Sequence, residues 1–243
     1  YIILGNHDEN RLNKSQLDAI TPILTALDDM NIVICKRSGT YRIINGFNIC
    51  VLTDESEDSM NEAKPAVDDV NIAVYHGPIA GALSDDGWKM DGLSVGTLRG
   101  RYDFVLLGDI HKRQFMDSEK RSAYPGSLIP QNFSETETKG FLVWKITDRQ
   151  DYSTQFRELT SYSSFVTIQW PGTLELFENL GDFFKKNAHF RISFDENEIV
   201  PRRDVTQFLE KNWNAVEVVF KKNEKRTEIL EQDFIKADQN VND

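Results

Sequence analysis

The chain has 243 residues, of which 40% are hydrophobic and 28% charged, enough to bury one large core or two smaller ones. No apolar run approaches the roughly 20 residues of a bilayer span and no charged-then-apolar leader opens the chain, so neither membrane insertion nor secretion is indicated and a cytoplasmic setting is the default. A net charge of −11 argues against nucleic-acid binding through overall electrostatics, although carboxylates that hold divalent cations would supply positive charge locally.

Tyr1-Ile2-Ile3-Leu4 reads as a buried strand running into Gly5-Asn6-His7-Asp8. With no initiator Met and no earlier element to pair with, an upstream part of this domain is expected to be missing. Leu17, Ile20, Ile23, Leu24 and Leu27 recur at helical spacing, with Pro22 kinking or restarting the helix. Strands are predicted over Asn31–Cys35, Thr40–Ile44 and Phe47–Thr53, the last two joined by a tight Asn45-Gly46 turn. Residues 54–69 are acidic and polar and read as a solvated loop. Cys35 and Cys50 fall in strand-like stretches and read as reduced core thiols.

Two further apolar strands lead to polar residues: Ile72-Ala73-Val74-Tyr75 to His76, and Phe104-Val105-Leu106-Leu107 to Gly108-Asp109-Ile110-His111. Continuous apolar strands are buried on both faces, and ligands collect at their C-terminal ends. The sheet is expected to close with Gly140–Ile146, after the turn-rich Tyr124-Pro125-Gly126-Ser127. From about residue 150 a separate β-α-β-α-β unit is predicted, with strands Phe165–Trp170, Phe190–Phe194 and Val216–Phe220 and helices Leu174–Lys186 and Val205–Lys211. This gives a first domain over 1–150, a small domain over 151–225 and a polar tail over 226–243. Residues 151–243 carry 12 Lys and Arg against 17 Asp and Glu, so the second part is not a basic module, though Arg202-Arg203 and Lys221-Lys222 could meet phosphates.

Three of the four histidines sit at or just after strand ends, beside glycines that let the backbone turn while a polar side chain projects into a cleft. Oxygen and imidazole donors without thiolates favour Mn²⁺, Fe²⁺ or Zn²⁺, with Mn²⁺ suited to phosphate esters. Asn6 would coordinate through its amide oxygen, His76 and His111 through imidazole nitrogen and Asp109 through carboxylate. His7, adjacent to Asn6, would contact the substrate phosphate or protonate the leaving oxygen. Blander readings exist for each: a turn with Asp8 as a cap, a core histidine at 76, a plain loop at 108–111. Tyr124-Pro125-Gly126-Ser127 reads as a structural turn rather than a substrate contact, Phe177, Phe183, Phe184 and Phe208 read as core, and His189 as a surface or strand-edge residue without a role.

Gly5-Asn6-His7-Asp8, Tyr75-His76-Gly77 and Gly108-Asp109-Ile110-His111 resemble the third, fourth and fifth motifs of the calcineurin-like metallophosphoesterases. Leu17-Asp18-Ala19-Ile20-Thr21-Pro22, His76-Gly77-Pro78-Ile79, His111-Lys112-Arg113-Gln114, Tyr124-Pro125-Gly126-Ser127-Leu128 and Gln131-Asn132-Phe133 resemble the SbcD-type DNA double-strand-break repair nucleases and their phage recombination relatives. The resemblance spans roughly residues 1–146; the remainder is similar to the DNA-capping domain of those nucleases in order and size. It implies an α/β fold with a partial metallophosphoesterase β-sandwich flanked by helices and a small capping domain. It implies two divalent metal ions, Mn²⁺ above all, with Asn6, His76 and Asp109 on the second metal, His111 on the first and His7 as catalytic proton donor. The fifth motif is commonly Gly-His-x-His, so Asp109 implies an altered metal preference. The activity implied is a manganese-dependent DNA exonuclease and endonuclease. Its implied partners are DNA, a coiled-coil SMC-like ATPase of the SbcC type and a second copy of itself. The bridging ligand would lie upstream, which makes this stretch alone an expected inactive fragment. A phosphomonoesterase or protein phosphatase on the same scaffold, or a non-catalytic DNA-binding scaffold, are the alternatives.

Overall fold

The computed structural model describes residues 1–8, 18–135, 137–159, 164–171 and 188–223. The chain is mixed α/β and divides into two units, Tyr1–Tyr162 and Ser163–Asp243. The expected boundary at 150 thus moves to after Tyr162, because β10 (Tyr152–Glu158) pairs antiparallel with β9 (Gly140–Ile146) along its whole length. Its alternating exposure leaves Tyr152, Thr154 and Phe156 half-buried on one face.

In the first unit, β1 (Ile2–Ile3) pairs in parallel with β2 (Ile34–Cys35), so the strand predicted over Asn31–Cys35 is reduced to its last two residues. α1 (Thr21–Leu27) carries Pro22 in its first turn, where proline lacks only an N–H that would be unbonded anyway. The Asp18 carboxylate accepts the Thr21 N–H at 2.6 Å and the Thr21 hydroxyl at 2.7 Å, which ties down the start of this helix. Leu17 and the segment 9–17 lie outside the described residues.

β3 (Gly39–Ile44) and β4 (Phe47–Leu52) form the predicted hairpin, with Gly46 at φ 83°. The acidic stretch predicted as a loop contains α2 (Glu57–Glu62). Ser56 caps it by accepting the Ser59 N–H at 3.1 Å, Glu57 and Asp58 occupy its first turn and Met60 is buried. A side-chain cap and acids near the positive helix end outweigh the polar composition.

β4, β5 (Val70–His76), β6 (Phe104–Gly108) and β8 (Ser122–Tyr124) run parallel, with β3 and β7 (Gln114–Phe115) antiparallel at the edges, giving the six-stranded order β3-β4-β5-β6-β8-β7. One face packs Cys50, Leu52, Ala73, Tyr75, Val105 and Leu107 against Met60, Leu98 and Tyr102 from α2 and around α3 (Val95–Arg99). On the other face Val70, Ile72 and Phe104 meet Trp144, Ile146 and Tyr152 of the β9–β10 hairpin. Gly140–Ile146 therefore covers the sheet and does not extend its edge, since its half-buried side supplies the apolar surface that face needs. Cys35 and Cys50 are buried free thiols, and burial pushes Cys50 up to about 11.

The second unit holds β11 (Ser164–Gln169), β12 (Ala188–Phe194), the helix Arg202–Trp213 and β13 (Ala215–Lys222), with the strands in one parallel sheet of order β11-β12-β13. Ile168, Phe190, Ile192, Leu209 and Trp213 form its core, with Phe208 packed against it. The predicted helix Leu174–Lys186, together with Phe177, Phe183 and Phe184, and the tail from 226 lie outside the described residues. His189 stands on the central strand rather than an edge, 3.2 Å from Glu217 and stacked on Phe165. Arg202 lies over the rings of Phe194 and Phe220, and Lys222 pairs with Glu196 at 3.1 Å.

Candidate metal centre

The turn after β1 is held by the Asp8 carboxylate, which accepts the Gly5 N–H at 2.8 Å. It leaves Asn6 and His7 exposed. His76 ends β5 opposite Gly108 at the end of β6, and the Gly77 N–H bonds the Gly108 carbonyl at 3.2 Å. These three chain segments meet at one imidazole: His76 Nε2 lies 3.3 Å from Asn6 Oδ1 and 3.6 Å from Asp109 Oδ1. An ion holding nitrogen and oxygen donors at about 2.1 Å sets neighbouring donors roughly 3–3.5 Å apart, and the His76–Asn6 separation falls in that range while the His76–Asp109 separation lies just beyond it.

The space around this imidazole is made by glycines. A Cβ on Gly5 would stand 2.9 Å from His76 Cε1, and one on Gly108 would stand 2.8 Å from His76 Nδ1. Any larger residue would force the ring away. Asp109 adopts φ 97°, a region that L residues rarely enter and that persists where surrounding structure imposes it. The Tyr124 hydroxyl braces the cluster from behind, donating to the Gly77 carbonyl at 2.7 Å from a fully buried position.

His111 joins a different group. Asp85, His111 and Glu135 bring one donor atom each within 4.8 Å of one another, the one such metal-capable group among the described residues. Its side chains could hold a metal ion. His111 Nδ1 is 3.0 Å from Glu135 Oε1, and the Glu135 side chain is fully enclosed and paired with Lys139 Nζ at 2.7 Å. Burial alone pushes the Glu135 carboxyl up, but hydrogen bonds from Lys139 and His111 outweigh it and hold it below its ordinary range. Burial raises the Asp85 carboxyl.

No protein-family model matches the chain. It is similar to an uncharacterized protein of Acanthamoeba polyphaga mimivirus, 29% identical over 236 residues that cover 91% of this chain. The chain spans 17% of that relative's length.

Of the residues singled out from sequence, Asn6, His76 and Asp109 therefore come together, His7 shares the Asn6 turn, and His111 stands with Asp85 and Glu135. Sequence reasoning missed the last two. Asp85 lies in an Asp-Asp-Gly turn that reads as plain solvent-facing chain. Glu135 follows Gln131-Asn132-Phe133 closely, and its one local signal is Lys139 four residues on. In Tyr124-Pro125-Gly126-Ser127, Gly126 has φ 81°, and the Ser127 N–H donates to the His111 carbonyl at 3.2 Å, which packs this segment's backbone against that of His111. No helix among the described residues is long and apolar enough to cross a membrane.

Proposed function

We propose that this chain forms part of a two-metal phosphoesterase of the calcineurin-like type, working as a manganese-dependent DNA nuclease. The observation that carries the reading is the convergence of Asn6 Oδ1 and Asp109 Oδ1 on His76 Nε2, at 3.3 and 3.6 Å, from three segments in the order of the three motifs. The six-stranded sheet covered by helices and the β9–β10 hairpin is read as part of the phosphoesterase sandwich, and the parallel second unit as the capping domain.

Asn6, His76 and Asp109 would hold one cation and His111, with Asp85, another. Bound there, divalent metals supply positive charge for the phosphate and lower the pKa of a coordinated water. The protein's part is to fix the donors. Gly5 and Gly108 set the His76 ring, and the Asp8-closed turn presents Asn6 and His7 side by side, with His7 exposed to meet the substrate and pass a proton to the leaving oxygen. DNA, an SbcC-type ATPase and a second copy of the chain are the proposed partners.

A phosphomonoesterase on the same donors is the second reading. It is favoured by the net charge of −11 and by the engagement of Arg202 with two aromatic rings and of Lys222 with Glu196. Both readings are tested with full-length protein, wild type and His7→Ala, on linear DNA and on p-nitrophenyl phosphate, with Mn²⁺, Mg²⁺ or chelator. Mn²⁺-dependent DNA degradation lost in the variant is the expected result. Phosphate-monoester hydrolysis exceeding DNA cleavage selects the second reading, and no hydrolysis of either with metal bound removes both.

A further inference from the structure

We infer that Glu135 is a positioning residue that fixes His111 as a metal donor and is not itself a ligand, although its carboxylate lies within ligand distance of the same cluster. The inference rests on the metal reading above. Every acceptor position of this carboxylate is already engaged. Oε1 accepts from His111 Nδ1 at 3.0 Å and Asn132 Nδ2 at 2.9 Å, and Oε2 accepts from Ser127 Oγ at 3.1 Å and Lys139 Nζ at 2.7 Å. An ionised carboxylate offers about four lone-pair sites, so a metal on Glu135 would have to displace one of these donors. Displacing Lys139 would take the paired carboxylate from an ammonium whose side chain is 5% exposed, which is far costlier than leaving the pair intact.

The consequence for His111 is chemical. An imidazole whose Nδ1–H donates to a carboxylate keeps its lone pair on Nε2, the state a metal requires. The same segment also clamps the main chain of His111, whose carbonyl accepts the Ser127 N–H at 3.2 Å and Lys139 Nζ at 3.3 Å. Gly126 permits this approach, since a Cβ there would stand 2.8 Å from that carbonyl oxygen. Residues 124–139 thus hold His111 by ring and backbone together. Asp85 is left as the carboxylate donor, and its turn is tied to the His111 segment through Gln114, which accepts the Leu83 N–H and donates to the Leu83 carbonyl, both at 2.8 Å.

The test uses full-length protein labelled with ¹⁵N-histidine and reads the His111 ring nitrogens without metal, then Mn²⁺ affinity by titration, for wild type, Glu135→Ala and Glu135→Gln. Metal-free wild type should carry the proton on Nδ1, and Glu135→Ala should lose this single tautomer and about 10–100-fold in Mn²⁺ affinity. Glu135→Gln, whose amide oxygen can still accept from Nδ1–H, should recover most of both. The wild-type spectrum needs no variant to fold. A proton on Nε2 there overturns the inference, as does an equal affinity loss in both variants with the tautomer unchanged, which makes Glu135 a ligand. Correct tautomer and metal binding without hydrolysis of any phosphoester would sink the proposed activity and leave the positioning role standing.

Discussion

The His76 cluster and the His111 cluster follow neighbouring strands of one sheet, yet they are built by opposite means. His76 is shaped by missing atoms: two glycines clear space for its ring, and its side chain and that of Asp109 remain 26% and 22% exposed. His111 is shaped by bonds, its ring and carbonyl held by Glu135, Ser127 and Lys139 in a closed polar network. The first half of this comparison brings side-chain atoms of distant segments beside one imidazole, whereas the second fixes a single ring firmly. Steric changes should therefore injure the first half, and hydrogen-bond deletions the second.

The largest expected effect comes from His76→Ala, which removes the atom on which Asn6 and Asp109 converge. Mn²⁺ titration should show a loss beyond the roughly 10–100-fold typical of deleting an outer partner, while thermal melting changes less for this partly exposed side chain than for a fully buried one. Gly108→Ala is expected next. Its Cβ would press on His76 Nδ1, so the melting midpoint should fall by the equivalent of about 1–3 kcal/mol and metal affinity with it; an unchanged affinity would mean that ring placement does not matter. Tyr124→Phe leaves the Gly77 carbonyl without its buried donor and should cost about 1–3 kcal/mol in denaturant unfolding, with hydrolysis per folded molecule nearly intact.

The smallest effect separates the halves by pH. Glu135 has a folded pKa below its ordinary value of 4.5, so the stability it contributes is fully present above that value and lost as pH falls through the folded one. Melting curves between pH 6 and 3 (roughly the carboxylate range) should show a steeper acid loss for wild type than for Glu135→Gln. Parallel curves would mean that the network contributes nothing beyond geometry.

The legible part of the site was the part written into strands. His76 and Asp109 stand where continuous apolar runs stop, and the order of buried strand, turn and metal-type residue is a local pattern. Asp85 and Glu135 ride on turns, and what makes them part of a site is contact with a histidine far along the chain. The same limit explains the fold. The Asn45-Gly46 hairpin and the parallel runs at 70–76 and 104–108 were readable from local signals. The place of Gly140–Ile146 depended on which sheet face lacked a cover, and α2 on a serine cap inside an acidic stretch.

The most direct test of a two-metal centre is the number of Mn²⁺ ions bound by the full-length protein, counted by electron paramagnetic resonance for wild type, His76→Ala and His111→Ala. Two spin-coupled ions in wild type, falling to one uncoupled ion in each variant, is the predicted result. The same number of ions in all three proteins, or none in wild type, would contradict it.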